Sequence, residues 1–388
     1  MNSKTLFLSL SLTAALSCHQ SRAEGVVTNF TPQNPPEMQP LGKTDSPAFQ
    51  AMRHLQRGAN LGDYLESYPV GKNKVTVSAE DFAAMRREGF DHVRIPVGWQ
   101  HYAGPGPDFM ISPEIFAKAD PLVTNSLANG LSVIINIHHF DELDRDPTAT
   151  TAEFLQIWKQ VAEHYKDCPG GLVFELDNEP HQQATTAVMN PIYAQAISLI
   201  RESNPRRTIM VEPGKWGGID ELQNLIVPAD DNVVVSVHCY NPFLFTHQGA
   251  SWTHGSTPLT GLVFPGPPSK PYVPDPGLNL PKKTLQWVEE YNTLPTEKNP
   301  SGPIAFTSRM KFLHDWQAHY GRPIHLGEFG AYTKGDQQSR ANYYSALRHA
   351  AEAQGIGWCI WDWNSGFRYW DEKTQQPLPG MREALFGK

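Results

Sequence analysis

The chain has 388 residues and a formal net charge of −8, with 40% hydrophobic and 19% charged residues. This composition is typical of a globular protein, and the length fits one large α/β domain. The acidic balance argues against polyanionic partners, so we expect neither nucleic-acid binding nor adhesion to an anionic membrane.

Residues 1–23 are typical of a secretory signal peptide. Lys4 precedes an apolar run at 6–16, and a small-residue site ends at Ala23. The run is too short to cross a bilayer as a helix, so no membrane span is predicted. We therefore expect a secreted or periplasmic protein. A lipoprotein anchored through Cys18 is the alternative, although the preceding "ALS" lacks the leucine usual three residues before such a cysteine.

Residues 24–46 are rich in Pro, Gln and Thr and predict a linker, and 47–388 predict a single catalytic barrel domain. In this domain short apolar runs alternate with helix-like segments, which favours an α/β fold of the (β/α)8 (TIM) barrel type. A doubly wound open sheet is the alternative, but no Gly-rich phosphate loop follows the first strand. The predicted strands are 57–62, 90–97, 131–138, 171–178, 207–212, 232–240, 323–329 and 355–363. The predicted helices are 78–88, 113–129, 151–165, 192–203, 306–319 and 337–354.

One stretch interrupts this alternation. Residues 241–303 contain the Pro- and Gly-rich run "VFPGPPSKPYVPDPG" and one short helix-like piece at 285–291. The stretch follows the sixth strand, so we expect a long insertion on the C-terminal face of the barrel. We predict that it forms one wall of a cleft and contributes nothing to the barrel core.

Polar and aromatic side chains collect at the C-terminal strand ends, where barrels of this class carry their chemistry. Strand alternation predicts that Glu175, Asp177 and Glu179 share one face. Arg94 and Glu175 could form a structural ion pair, but so many buried polar groups without a use would leave charge unpaired. In chain order these residues are Asn60, Arg94, His138, His139, Asn178, Glu179, Glu212, His238, Tyr240, Glu328 and Trp361.

Two of these residues, Glu179 and Glu328, place carboxylates on strands four and seven. Cleavage of a glycosidic bond needs one acid to protonate the leaving oxygen and another to attack the sugar or to activate water. Trp252 and Trp361 could stack on the apolar face of a sugar ring. The pattern therefore indicates glycoside hydrolysis.

The same residues lie in motifs that resemble glycoside hydrolase family 5, and most closely its bacterial endo-β-1,4-glucanases. The motifs run from residue 57 to residue 366 and appear in the order "RGANLG", "HVRIPV", "VIINIHHF", "FELDNEP", "VSVHCYNPFLFTHQGASW", "IHLGEFGAY" and "IWDWNSGF". This resemblance implies a (β/α)8 barrel, a β-glucan substrate, a retaining two-glutamate mechanism and no cofactor or metal. We expect a monomer.

The resemblance also implies a role for each matching residue. Glu179 matches the acid/base and Glu328 the nucleophile. Asn178 is expected to bond the sugar 2-hydroxyl, and Trp361 to stack beneath that sugar. Arg94 and Tyr240 match residues that keep the nucleophile ionised and oriented. His138 and His238 match residues that line the cleavage site. Further substrate contacts are expected from His139, His247, Trp252 and Asn60.

Three alternatives remain open from the sequence. Cleavage of β-mannan or xyloglucan needs only a few changed loop residues. A metal-dependent hydrolase could use His138, His139 and His238 with a glutamate, although adjacent strand residues point to opposite faces. A sugar-binding barrel without catalysis is the third. For the leading hypothesis we expect a lowered pKa at Glu328 and a raised pKa at Glu179. No role is predicted for Arg368 and Trp370.

Overall fold

The computed structural model describes residues 38–253 and 255–387. The predicted signal peptide and most of the predicted linker lie outside these residues. None of the described helices is long and apolar enough to cross a membrane.

Eight parallel strands close into a barrel in the order β1 to β8, with β8 paired to β1. The predicted (β/α)8 barrel is confirmed, and each strand lies within its predicted range. The barrel strands are β1 (Arg57–Asn60), β2 (His92–Ile95), β3 (Ser132–Asn136), β4 (Leu172–Glu175), β5 (Ile209–Val211), β6 (Val233–His238), β7 (Ile324–Phe329) and β8 (Gly357–Ile360), and a short hairpin follows as β9 (Trp370–Asp371) and β10 (Gln376–Pro377).

Helices surround the barrel and pack on the apolar outer faces of the strands. They are α1 (Pro47–Met52), α2 (Ala79–Glu88), α3 (Pro113–Ala128), α4 (Asp141–Arg145), α5 (Pro147–His164), α6 (Thr186–Ser203), α7 (Gly214–Gly217), α8 (Phe243–Thr246), α9 (Lys282–Thr293), α10 (Ile304–Tyr320), α11 (Gln337–Glu352) and α12 (Met381–Phe386). Short 3₁₀ turns lie at Trp99–Tyr102, Ile219–Asn224, Ser251–Thr253 and Thr296–Lys298. The predicted start of α2 is confirmed, because the Ser78 backbone N–H donates to Asp81 Oδ2 over 2.8 Å.

Two helices begin earlier than predicted. Asp146 caps α5 by accepting from the Ala149 N–H over 3.0 Å, so the helix begins at Pro147 and not at 151. Thr185 caps α6, which begins at Thr186 and carries Pro191 within it. The prediction placed that proline outside the helix, since proline is favoured at a first turn and disfavoured further in.

Helix α1, which the sequence did not predict, closes the bottom of the barrel. Ala48 and Met52 form a separate apolar cluster with Leu55 and with one residue each from β3 to β6 (Ile134, Val173, Met210 and Val234). The N-terminal end is therefore closed by apolar side chains. The buried rings of His92 and His325 meet within the barrel, and the candidate catalytic groups lie at the C-terminal end.

The insertion is anchored to the outside of the barrel. Phe264 is buried and packs its ring against Phe306 of α10 and Tyr343 of α11, with centroids 6.3 and 5.5 Å away. Leu262 is buried too, and its N–H donates to Gln248 Oε1 over 2.9 Å. Among the described residues of 241–303 there is no strand. Its role as a cleft wall stays a prediction, but this segment also contributes to stability.

Candidate active site

Arg94 is the centre of the polar cluster at the C-terminal end of the barrel. It is fully buried on β2, and its Nε lies 2.5 Å from Glu175 Oε2 while its Nη1 lies 2.7 Å from Glu328 Oε1. Its Nη2 donates to Asn178 Oδ1 over 2.6 Å. Burial would lower the pKa of Arg94, but Glu175, Glu328 and Glu212 raise it above its ordinary value. A planar guanidinium can reach three strand ends at once, which a lysine could not do.

Asn60 is placed differently from its prediction. It is wholly buried, its Nδ2 donates to the carbonyls of Gly327 and Ile360, both over 3.0 Å, and its Oδ1 accepts from Arg94 over 2.8 Å. Both polar atoms are used inside the protein. The expected substrate contact is therefore wrong, and Asn60 instead positions Arg94.

Glu328 lies near the end of β7, 4% exposed. Besides Arg94, its second oxygen accepts a hydrogen bond from the Tyr240 hydroxyl over 2.7 Å. Burial, and then the Glu328 carboxylate, raise the pKa of Tyr240 well above its ordinary value, so this tyrosine stays protonated and donates. Both contacts match the arrangement expected of an oriented carboxylate.

Glu179 reaches the cleft through a turn of the chain and not through strand alternation. Strand β4 ends at Glu175, and Glu179 has a left-handed backbone, with φ of 56°. A non-glycine residue held there costs about 1–3 kcal/mol, which is typical of functional sites. The Glu179 N–H donates to Glu212 Oε2 over 2.8 Å, which fixes the turn. The predicted shared face of Glu175, Asp177 and Glu179 is wrong, because it is Asn178 that joins Glu175 on Arg94.

His238 links three carboxylates. Its Nδ1 lies 2.8 Å from Glu179 Oε1 and 3.7 Å from Glu328 Oε2, and its Nε2 lies 2.9 Å from Glu212 Oε1. Burial would lower the pKa of His238, but Glu212 and Glu328 raise it well above its ordinary value. Burial would raise the pKa of Glu212, but His238 and Arg94 lower it to about 2. His238 is thus a buried imidazolium paired with carboxylates.

Glu212 is a residue to which the sequence analysis gave no role. It is fully buried, accepts from Ser236 Oγ over 3.0 Å and holds both Glu179 and His238. The available signal was "VEPG", an acid at a strand end directly before a proline, as in "NEP".

One carboxylate oxygen of Glu179 and one of Glu328 lie within 4.8 Å of each other and of a His238 ring nitrogen. The pKa shifts of the two glutamates are opposed, but in the reverse sense to the prediction. Burial raises the pKa of Glu328 to about 7 against the effects of His238 and Arg94. Burial would also raise the pKa of Glu179, but the hydrogen bond to His238, the charge of His238 and His139 together lower it. The sequence could not show that the imidazolium lies 2.8 Å from Glu179 and 3.7 Å from Glu328.

Asn178 keeps one donor free of protein partners. Its Oδ1 accepts from Arg94, while its Nδ2 is buried and has no hydrogen-bond partner within the described residues. An unpaired buried donor costs about 1–3 kcal/mol unless a ligand satisfies it. This amide is therefore available to a substrate hydroxyl.

Trp361 and His138 form one side of the site. Their rings are parallel within 5° at a centroid distance of 5.6 Å. A Cβ on Gly62 would lie 2.9 Å from Trp361 Cζ2, so glycine is needed for the indole to lie there. Burial lowers the pKa of His138 well below its ordinary value, so the ring is neutral. His139 is exposed at the rim, with its ring edge-on to His138.

His247 and Trp252 lie on the segment that follows β6. His247 is buried, stacked on Phe243 at 4.2 Å and edge-on to Tyr240 at 4.9 Å, and burial lowers its pKa to about 3. It therefore supports the ring of Tyr240 as a neutral imidazole. Trp252 is 48% exposed and packs edge-on against Tyr332 at 4.8 Å, so its face is available.

Trp216 is an aromatic residue of the site that the sequence did not predict. Its indole is 50% exposed and stacked on His181 at 4.9 Å, and His181 Nδ1 lies 2.9 Å from the Glu179 carbonyl oxygen. Lys215 and Trp216 both have left-handed backbones, so α7 is a tight turn that presents the indole beside the acid. A tryptophan between glycines after strand five, in "GKWGG", was the only signal.

The described groups that could chelate a metal ion are Glu179, His238 and Glu328. His138 and His139, which the metal-hydrolase alternative required, are not among them. Trp370, for which no role was predicted, is buried and stacks on Trp363 at 4.9 Å, so it is structural.

Comparison with known proteins agrees with this geometry. The family model described as cellulase (glycosyl hydrolase family 5) matches residues 56–366. The chain is 25% identical over 314 residues to Endoglucanase H of Acetivibrio thermocellus, which covers 81% of this chain but only 30% of that protein. It is 33% identical to Thermotoga maritima Cel5A solved with mannotriose, with a TM-score of 0.76 over 87% of this chain and 100% of the other. The same enzyme solved with cellobiose gives 34% identity and a TM-score of 0.74, again over 87% and 100%.

Proposed function

This chain belongs to glycosyl hydrolase family 5, the cellulase family, and we propose that it is a retaining endo-β-1,4-glucanase acting on cellulose or mixed-linkage β-glucan. The observation that carries the proposal is the short separation of the two carboxylates, whose nearest oxygens lie within 4.8 Å. Retaining glycosidases hold their carboxyl groups about 5–5.5 Å apart, whereas inverting ones leave about 6.5–9.5 Å for a water molecule.

In the first step Glu328 attacks C1 of the sugar that lies on Trp361. The C1–oxygen bond breaks, Glu179 gives its proton to the departing oxygen, and the remainder of the chain leaves as an alcohol. A covalent glycosyl ester on Glu328 remains.

In the second step Glu179, now a carboxylate, takes a proton from water as the water oxygen attacks C1. The ester bond to Glu328 breaks and both carboxyls return to their starting state. Two inversions at C1 leave the product in the β configuration.

The surrounding residues favour both steps. Arg94 and the Tyr240 hydroxyl bond both oxygens of Glu328 and keep them aimed at C1. The unpaired Nδ2 of Asn178 is the donor for the sugar 2-hydroxyl, a bond that strengthens in the transition state. Trp216 lies beside Glu179 and so accepts the sugar on the leaving-group side.

Cleavage of β-mannan is the second candidate, because the relative from Thermotoga maritima was solved with mannotriose as well as with cellobiose. Mannose differs from glucose in the configuration at C2, which is the position that Asn178 would contact.

Product analysis on carboxymethyl cellulose, mixed-linkage glucan, mannan and xyloglucan tests the proposal. We expect short oligosaccharides from the two glucans, with activity unchanged by a chelator. Activity only on mannan or xyloglucan would show that the proposed β-glucan substrate is wrong. Loss of activity in the presence of a chelator would favour a metal-dependent hydrolase. Glu328→Gln should abolish cleavage and leave binding measurable, whereas wild-type protein that binds but never cleaves would indicate a sugar-binding barrel.

Export of the protein is part of the proposal. The support is the order of basic, apolar and small residues in 1–23. N-terminal sequencing of the exported protein should begin at Glu24, and an intact Met1 or a lipid on Cys18 would contradict it.

A further inference from the structure

Two exposed rings form a stack on the loops that follow β1 and β2. Tyr68 is 53% exposed, and its ring lies 5.0 Å from that of His101 at an angle of 28°. Tyr102 packs edge-on against Tyr68 at 5.6 Å and so holds the phenol from the side. A single exposed aromatic residue is common on a protein surface, but a supported pair offering a flat face at the mouth of a barrel is not explained by packing alone.

The pair lies on the side of Trp361 away from the acid. The loop that bears Tyr68 leaves β1 at Gly62, in contact with Trp361, and the Gly98 N–H of the next loop donates to the Leu65 carbonyl over 3.2 Å. Strands β8, β1 and β2 are neighbours in the barrel, whereas Glu179 and Trp216 follow β4 and β5 on the opposite side.

The neighbouring elements extend this surface. Partial burial lowers the pKa of His101 against the opposing effect of Glu142 and Asp141 of α4. A Cβ on Gly98 would lie 2.8 Å from His101 Cδ2, so the ring depends on a glycine beneath it. The stack is therefore built from the loops that follow strands one and two.

The loop is held in shape without a ligand. The carboxylate of Glu66 accepts the N–H groups of Asp63 and Tyr64, the latter over 2.9 Å. Asn73 Nδ2 donates to Ser67 Oγ over 2.7 Å. A preformed aromatic face binds with a smaller loss of conformational entropy than a mobile one.

We propose that Tyr68, backed by His101, is an outer stacking platform for the non-reducing side of the glucan chain, beyond the glucosyl unit that lies on Trp361. The proposal rests on the proposed function, since its ligand is the β-1,4-glucan. The polarity follows from the chemistry: Glu179 protonates the leaving oxygen, so the leaving part of the chain runs towards Trp216 and the retained part runs the other way. The loop that bears Tyr68 passes Trp361 at Gly62, which places the platform on the same side of the cleft as that indole.

The test uses aryl β-cello-oligosaccharides of one to five glucosyl units, in which only the non-reducing side grows while the leaving group stays the same. The wild-type kcat/KM should rise in a step when the added unit reaches Tyr68. Tyr68→Ala should reduce kcat/KM about three- to tenfold on glycosides of that length and longer, and leave shorter ones unchanged, because aromatic stacking contributes on this scale. Tyr68→Phe should retain the step, and His101→Ala should reduce it by removing the support.

His164→Ala is the matched control, because His164 also stacks on an aromatic ring, Phe116 at 4.1 Å, but at the end of α5 on the opposite face of the barrel. Thermal unfolding of each variant checks that the fold is intact. A uniform loss on every length, or no loss on any, would overturn the proposal. Wild-type protein that cleaves none of the glycosides would instead refute the proposed function.

Discussion

Tyr240→Phe should move the acidic limb of the pH profile to higher pH. The Tyr240 hydroxyl donates to Glu328 over 2.7 Å in a site where the carboxylate is 4% exposed. A hydrogen bond to a charged group contributes about 1.5–3 kcal/mol, and one pKa unit corresponds to about 1.4 kcal/mol. Because the bond favours the ionised form, its loss raises the pKa of Glu328 from about 7 by about 1–2 units. The nucleophile must be ionised, so activity below the new pKa falls.

The assay is kcat/KM on a soluble β-glucan over a range of pH values, fitted to a bell-shaped curve. Tyr369→Phe is the matched control, because the Tyr369 hydroxyl donates to Glu88 over 2.6 Å far from the cleft. The pH profile of this variant should keep both limbs in place. An acidic limb that stays in place in Tyr240→Phe would refute the reasoning, even if the plateau fell, since Tyr240 would then not stabilise the ionised nucleophile.

Glu179→Ala should lose about 10²–10⁴-fold of its activity on a polymer but keep the first step on an activated aryl glycoside, because only a poor leaving group needs the proton; equal losses on both would assign the acid elsewhere. Proton NMR of the first-formed reducing end should show the β-anomer, and an initial α-anomer would remove Glu328 as the nucleophile. Phe264→Ala should destabilise the protein by about 3–5 kcal/mol in urea unfolding, because its ring is buried on Phe306 and Tyr343. Deletion of 261–276 should alter substrate preference and, since it removes Leu262 and Phe264, also lower stability; unchanged kinetics on every polymer would contradict the cleft-wall prediction.

The sequence predicted the barrel because its signals are local. Eight apolar runs separated by helix-like segments mark the strands, and the Ser78–Asp81 capping box marks a helix start within four residues. The predictions of helix bounds were wrong or incomplete where contacts between distant residues decide the structure. Pro191 lies inside α6. Helix α1 did carry a local start signal, the Ser46 cap followed by Pro47, but its six residues are stabilised by the packing of Ala48 and Met52 at the barrel bottom.

In the site, too, local signals were predictable and contacts between distant residues were not. Glu328 and Glu179 could be placed at or just beyond strand ends by position alone, but the function of Asn60 depends on which atoms its amide meets. All its partners come from other strands: Arg94, Gly327, Cys359 and Ile360. Trp216 was missed because its exposure depends on a left-handed turn that no residue in "GKWGG" requires.

Charge balance explains why the buried cluster must hold a proton that it can give away. Four carboxylates, Glu175, Glu179, Glu212 and Glu328, face two cations, Arg94 and His238, so full ionisation would leave two unbalanced negative charges out of water. Burying unpaired charge is so unfavourable that one carboxyl takes up a proton instead. Glu212 is not that group, because His238 and Arg94 hold its pKa at about 2. Burial raises the pKa of Glu175 and of Glu328, the latter to about 7, and of these two Glu328 is the proposed nucleophile. His238 Nδ1 lies within 2.8 Å of one catalytic carboxylate and 3.7 Å of the other. The two carboxyls therefore titrate as a pair, and the pair enters the reaction with the one proton that a retaining mechanism needs and one free carboxylate.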